Sequence, residues 1–229
     1  MPRPESDPII CTVDVVLLTL RQDMLHVVLI KRDREPFKNV SALPGGYVHV
    51  EEDQGAWDAA ARVLRDKTGI TSPYLEQLAT FSGPGRDPRG WSVSIAYYAL
   101  VPSEILPADD DGIHVIPVAR LPSLPFDHKS IVELAVRRVR AKSQYSSLPV
   151  YLCGDSFTLP QLQSVYECVL GEPINKVSFR RKVDELAMLE PIEGEMESGR
   201  ANRPAQLYRL RTEFRHSLST LERGLNSRT

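Results

Sequence analysis

Gly45-Gly46-Tyr47-Val48-His49-Val50-Glu51-Glu52-Asp53, running on to Arg62-Val63-Leu64-Arg65-Asp66-Lys67-Thr68-Gly69-Ile70, is the stretch that decides the fold. A Gly-Gly turn opens it, acidic residues follow, and a helix closes on a glycine. Trp57, Ala60, Ala61 and Leu64 recur at helical spacing and predict an apolar face on that helix. Gly69 stands where a C-terminal cap takes a residue at positive φ. Glu51, Glu52, Asp53 and Asp66 are candidates for holding a metal ion weakly. An acidic helix start also complements the helix dipole, which accounts for three of them without any chemistry.

Upstream, Ile9 to Leu20 and Leu25 to Arg32 are aliphatic and β-branched and predict two strands, with Arg21-Gln22-Asp23 as the turn between them. Downstream, Leu75 to Phe81 and Ser92 to Val101 predict two more strands around the loop Ser82-Gly83-Pro84-Gly85-Arg86-Asp87-Pro88-Arg89-Gly90-Trp91. Asp109-Asp110-Asp111-Gly112 reads as a turn and His114 to Val118 as a short strand. A helix from Phe126 onward has Asp127 as its candidate N-cap. Ile131, Leu134, Ala135 and Val139 turn inward, and Arg137, Arg138 and Arg140 outward.

A polar break at residues 143–149 divides a first unit, 8–143, from a second unit at 150–211. Thr158-Leu159-Pro160-Gln161 is a capping box, a Thr N-cap with Gln at N3. Leu159, Leu162, Val165, Tyr166 and Val169 mark one helical face, and Gly171 ends that helix. Asn175 caps a second helix with Phe179, Val183 and Leu186 inward. Pro191 to Glu195 and Ala205 to Leu210 predict a two-stranded ribbon around a basic tip with Arg200 and Arg203. Helix, short turn, helix and ribbon is the order of a winged helix-turn-helix. A tail, 212–229, spaces Phe214, Leu218, Leu221 and Leu225 as an amphipathic helix.

The 229 residues, 42% hydrophobic and 25% charged, fit a soluble globular chain of one large or two ordinary domains. A net charge of −2 excludes a global basic field, so any nucleic-acid surface is a local patch. Cys11, Cys153 and Cys168 form neither a disulfide framework nor a CxxC pair, which suits reduced thiols in the cytoplasm. The histidines are scattered without metal-ligand spacing. The polar, proline-rich start is no signal peptide, and the apolar runs fall short of a membrane span.

On the second helix of the C-terminal unit, Ser178, Arg181, Lys182 and Glu185 face away from Phe179, with Lys176 and Arg180 flanking. Arginine can take guanine O6 and N7 bidentately, and Lys or Ser can hold phosphates. A solvated basic face is the plain alternative; the basic wing at the right distance favours DNA. In the Gly/Pro-rich loop, Arg86 and Arg89 bracket a proline-stiffened turn, and two guanidinium groups suit a pyrophosphate.

The frame ending in Gly69 resembles the Nudix box, in which a loop–helix–loop presents glutamates to magnesium. Counting back from Gly69 sets the box arginine at Arg62. The family's following carboxylates are then Val63, Asp66 and Lys67, and the gap from Glu52 to Arg62 is longer than the family's. Val supplies no ligand and an ammonium group repels the ion. The resemblance therefore implies the Nudix scaffold, an α/β/α sandwich on a mixed sheet, with no catalytic residue, no bound metal and no cofactor. Lys31-Arg32 together with Leu43-Pro44-Gly45-Gly46-Tyr47-Val48 is similar to the subgroup that handles ADP-ribose.

Joined to a winged helix, this arrangement resembles the Nudix-related transcriptional regulators of NAD metabolism over roughly residues 8–211, by domain-length reasoning. The resemblance implies a homodimeric, cytoplasmic repressor that binds palindromic double-stranded operators of NAD biosynthesis or salvage genes, with no membrane partner. It also implies ADP-ribose as the effector that releases DNA. Arg32, Gly45, Gly46, Arg86 and Arg89 are the expected effector contacts. Asn175, Lys176, Ser178, Arg180, Arg181, Lys182, Arg200 and Arg203 are the expected DNA contacts. Ser178 stands where the family commonly has asparagine. The rival expectation, an ADP-ribose pyrophosphatase with an accessory domain, needs carboxylates that this box lacks.

Overall fold

The computed structural model describes residues 8–107, 112–197 and 204–221. Arg200 and Arg203, and most of the Asp109–Gly112 turn, lie outside them. The N-terminal part is a mixed sheet between two helices. Strands β1 (Ile10–Arg21) and β2 (Met24–Lys31) form a hairpin whose turn residues Gln22 and Asp23 both sit at positive φ, 51° and 57°. That is the backbone twist that favours two-residue hairpins. Short strands β3 (Ser41–Ala42) and β4 (Gly45–Tyr47) follow, then helix α1 (Ala56–Thr68). Strands β5 (Leu75–Gly83), β6 (Ser92–Leu100) and β7 (Ile113–Pro117) lead to α2 (His128–Ser143). The sheet order is β3-β2-β1-β6-β5, with β4 added to β1 and β7 to β2. Only β1 and β6 among these pairs run parallel.

The period-two pattern of β1 explains the layers. Val13, Val15 and Leu17 point to one face, where Ala59, Ala60, Val63 and Leu64 of α1 cover them. Val16 and Leu18 point to the other, under Ile131, Ala135 and Val139 of α2. Gly69 ends α1 at φ 72°, as expected of its cap. The apolar face of α1 is partly the expected one: Ala60 and Leu64 are buried, and Ala61 is only partly so. Trp57, in the first turn of the helix, is 53% exposed. Its indole N–H instead donates to the Leu75 carbonyl at 3.1 Å.

The C-terminal part contains β8 (Phe157–Thr158), α3 (Leu159–Leu170), α4 (Lys176–Leu186), β9 (Leu189–Glu197) and β10 (Ala205–Leu210). The three strands pair in the order β8-β10-β9. The Thr158–Gln161 capping box is formed in both directions, and Gly171 ends α3 at φ 78°. Asn175 caps α4 by accepting from the Val177 and Ser178 N–H groups. Tyr166 and Phe179 meet edge to face at 5.4 Å and fix the crossing of α3 and α4.

The break at 143–149 is a packed seam. Ser143, Ser146, Ser147 and Leu148 are buried, and the Tyr166 hydroxyl donates to the Ser146 carbonyl at 2.9 Å. One apolar cluster runs from the α2 face of the sheet through Leu148, Tyr151 and Leu152 into Leu162, Phe179 and Leu186.

The tail departs from its expectation. It has one 3-10 turn, Thr212–Phe214, and then runs without helix as far as Leu221. Its backbone finds partners in the seam rather than in itself. Ser147 N–H donates to the Ser219 carbonyl, Leu221 N–H to the Tyr145 carbonyl, and the Tyr151 hydroxyl to the Phe214 carbonyl. Phe214, Leu218 and Leu221 still pack on the core, and Leu225 lies outside the described residues.

Candidate functional site

β1 changes partner along its length. Leu18–Arg21 pair with β2, whereas Thr12–Asp14 pair with β4. Where β2 splays away to join β3 and β7, a groove of about 580 Å³ opens. All five expected effector residues, Arg32, Gly45, Gly46, Arg86 and Arg89, line it. Gly45 is required there: a Cβ would collide with Asp14 Oδ1 as β4 crosses β1. A Cβ on Gly46 would lie 3.0 Å from the Val63 side chain.

The three arginines are held differently. Arg86 is 7% exposed and forked onto Asp127, at 3.0 and 2.9 Å, with Asp14 at 3.6 Å and the Ser92 hydroxyl at 3.2 Å. Asp127 is thereby taken, and it makes no side-chain cap on α2, contrary to the expectation. Arg89 grips Asp87 through Nε and its second guanidinium nitrogen, at 3.0 and 2.6 Å, and lies over the Tyr47 ring at 5.4 Å. Arg32 donates to the Pro36 carbonyl at 2.8 Å and stacks on Phe126 at 4.9 Å. Among the described residues no carboxylate lies at ion-pair distance from Arg32. Burial and the nearby charge of Arg89 lower its pKa from the usual guanidinium value. Arg32 is thus the guanidinium in the groove that an anion would relieve most.

Under these side chains Asp14 is buried. Burial raises its carboxyl, but His128, the Ser94 hydroxyl at 2.6 Å and Arg86 outweigh that and lower it. Leu43 N–H donates to His128 Nδ1 at 3.1 Å, which leaves the ring proton on Nε2, facing Asp14 Oδ1 at 3.4 Å. Phe126, at φ 55°, and Phe37 meet edge to face at 5.0 Å beside Arg32. Asp14, His128 and Phe126 also line the groove and are not among the expected contacts. Asp14, a charge inside an otherwise apolar strand, was the available signal.

The box side of the groove is lined by Arg62, Val63, Asp66 and Lys67. Arg62 forks onto Asp53 at 2.8 Å through each of two nitrogens, and also donates to the Tyr47 carbonyl. Asp53 accordingly anchors the loop and is not part of the helix start, where Asp58 is the acidic residue. Lys67 faces Asp33 at 3.8 Å. The Arg62 hydrogen bonds hold the Asp53 carboxyl at about 2, below its ordinary 3.8. A depressed folded-state value stabilises fully above about pH 4, the unfolded carboxylate range, and is lost as pH falls through the folded value. Urea midpoints of the wild type should therefore drop from about pH 4 to about pH 2 more steeply than those of Asp53→Asn. Parallel acid limbs would contradict this role for the pair.

On α4, Lys176, Arg180 and Arg181 are exposed and Ser178 is half-buried. Arg181 has a loose contact to Glu185 at 3.9 Å. Lys182 corrects the expectation: it is 6% exposed. It lies three residues after Phe179 and four before Leu186, and so falls on the packed face of the helix. Asn175 spends its side-chain oxygen on the cap. Val177, 77% exposed, was not singled out from the sequence. No helix among the described residues is long and apolar enough to cross a membrane.

Comparison with known proteins gives the same two parts. The NUDIX domain family matches residues 11–135, and the NrtR DNA-binding winged helix domain matches residues 149–210. The chain is 39% identical over 203 residues to the ADPR responsive transcriptional repressor NtrR of Acinetobacter baylyi, covering 86% of this chain and 80% of that one. Shewanella oneidensis NrtR, crystallised with a 27mer DNA, superposes with a TM-score of 0.85 at 36% identity, covering 93% of this chain and 98% of that one. The NUDIX domain of the same protein, crystallised with ADP ribose, has a TM-score of 0.53 at 35% identity and covers 60% of this chain and 93% of that domain. A Nudix sheet that opens beside β4, followed by a winged helix of this specific kind, places the chain in the NrtR family of Nudix-related proteins.

Proposed function

We propose that this protein is an ADP-ribose-responsive transcriptional repressor. As a homodimer in the cytoplasm, it would bind palindromic operator DNA of NAD biosynthesis or salvage genes through its winged helices. It would sense ADP-ribose in the Nudix groove without turning it over. The lining of that groove carries the reading. Arg32 and Arg89 offer guanidinium groups for a diphosphate, beside aromatic rings at Tyr47 and Phe126, while the box offers no metal cage. The relatives support it, since the Acinetobacter repressor is ADPR responsive and the Shewanella protein was crystallised with DNA and, in its NUDIX domain, with ADP ribose.

Magnesium takes hard oxygen donors in near-octahedral array. Val63 contributes none, Lys67 adds a positive charge, Asp66 is the one box carboxylate in the lining and meets Arg65 at 3.3 Å, and Asp14 is committed to Arg86 and His128. Among the described residues no group of His, Cys, Asp or Glu is arranged to hold a metal ion. This lining supports sensing without turnover.

A gel shift on the promoter of a NAD-biosynthesis operon, with and without ADP-ribose, tests the reading. A specific shift that ADP-ribose weakens is expected; no shift would overturn it. Arg181→Ala should cost about 1–3 kcal/mol of operator affinity if that guanidinium takes a base edge. Because Arg181 is exposed and only loosely paired, its thermal midpoint should stay at the wild-type value. Unchanged affinity and sequence preference would remove Arg181 from the interface.

A further inference from the structure

Val177 is an apolar, β-branched residue in the first turn of α4, and 77% of it is exposed. Its side chain lies outside the packed apolar clusters. Valine is a poorer helix former than alanine, and this one is not buried on the inner face with Phe179, Val183 and Leu186. Residues that break a local rule without a packing gain tend to mark functional positions. Its neighbours sharpen the point. Helical spacing groups Val177 with Arg180 and Arg181, and Lys176 precedes it. In a helix-turn-helix reader, the N-terminal residues of the second helix reach the base edges. Asn175, a polar candidate at the same end of the helix, already accepts two backbone N–H groups at 3.0 Å each and is held as the cap.

We infer that Val177 is a specificity-determining residue that packs against the C5-methyl group of a thymine in the operator's major groove. Apolar contact with that methyl is the way a side chain without hydrogen-bonding groups distinguishes thymine from the other bases. The inference rests on the DNA-reading function proposed above and adds a base preference to it.

The test uses the full-length chain and double-stranded DNA selected by it from a random-sequence pool. Each thymine of the selected site is then replaced in turn by deoxyuracil, which removes the methyl and keeps the base pair. For the wild type, at least one thymine should show an affinity loss of about fourfold, the value of one buried methyl-sized group. For Val177→Ala that position should become indifferent to the replacement. The substitution is to a better helix former on an exposed surface, so folding is not in question. An enriched site with no methyl-sensitive thymine, or a sensitivity that Val177→Ala retains, would overturn the inference and leave DNA reading intact. Failure of the pool to enrich any sequence would overturn both.

Discussion

Arg86→Ala should destabilise the protein by about 3–5 kcal/mol, the cost of removing one partner from a buried ion pair. The side chains of Arg86 and Asp14 are 7% and 8% exposed. Without the guanidinium, Asp14 keeps His128 and Ser94 but loses its cation, and Asp127 loses both of its hydrogen bonds. The burial that pushes the Asp14 carboxyl up would then meet weaker opposition. Chemical denaturation at neutral pH measures the loss. Arg86→Lys should recover only part of it, because an ammonium group cannot fork onto Asp127. A loss below about 1 kcal/mol, the range of an exposed pair, would show that Arg86 is free for a ligand after all. Arg89→Ala provides the contrast. Arg89 is a third exposed, but its partner Asp87 is buried at 3% and would keep only the Arg89 backbone N–H, so Arg89→Ala should cost less stability than Arg86→Ala while weakening effector binding.

The second large effect expected is on DNA. ADP-ribose should lower operator affinity by roughly 5–150-fold, the range of an allosteric coupling of about 1–3 kcal/mol. The seam between groove and winged helix supplies the connection. α2 begins at His128, against Asp14 under the groove, and ends at Ser143, where the chain enters the buried segment packed on Tyr166. Tyr74 stacks on Tyr151 at 5.0 Å, and Lys142 of α2 pairs with Glu76 of β5 beside them. The tail then straps the parts together. His216 Nδ1 meets the Pro73 carbonyl at 2.8 Å, and the Ser219 hydroxyl donates to the Leu186 carbonyl at the end of α4. A shift of α2 on effector binding would therefore reach α4 through packed elements. A palindromic reader must hold two recognition helices about 34–36 Å apart, so a small rotation spoils one half-site. Fluorescence anisotropy of labelled operator DNA, titrated with ADP-ribose, measures the effect. Arg32→Ala should keep DNA affinity and lose the response.

Local chemistry made much of the fold legible in the sequence. The hairpin turn, Gly69, Gly171, the Thr158–Gln161 box and the Asn175 cap each satisfy backbone groups within a few residues, so short-range pattern suffices. The five groove residues were legible too, Arg32, Gly45 and Gly46 at a strand end and the Gly-Gly turn, Arg86 and Arg89 in the proline-stiffened loop between β5 and β6. Their roles were not. Whether Arg86 is a ligand clamp or a structural cation depends on Asp127 and Asp14, which only the tertiary register brings to it. Asp127 looked like a cap for the same reason, its competing partner being forty-one residues away in sequence. Lys182 is charged but lies three residues after Phe179 and four before Leu186, so helix geometry carries it to the packed face against the preference of its charge. The tail carried a helical apolar spacing, but the seam offered its backbone better partners than its own preceding turn.

Calorimetric titration of ADP-ribose into the free protein and into its operator complex tests the link between the two domains most directly. Coupling between two binding sites is reciprocal, so operator DNA must weaken ADP-ribose binding by the same factor by which ADP-ribose weakens operator binding. The expected result is a dissociation constant roughly 5–150-fold higher in the complex, matching the anisotropy titration. Identical dissociation constants in the two titrations would contradict the proposal that this groove is the sensor for the winged helix.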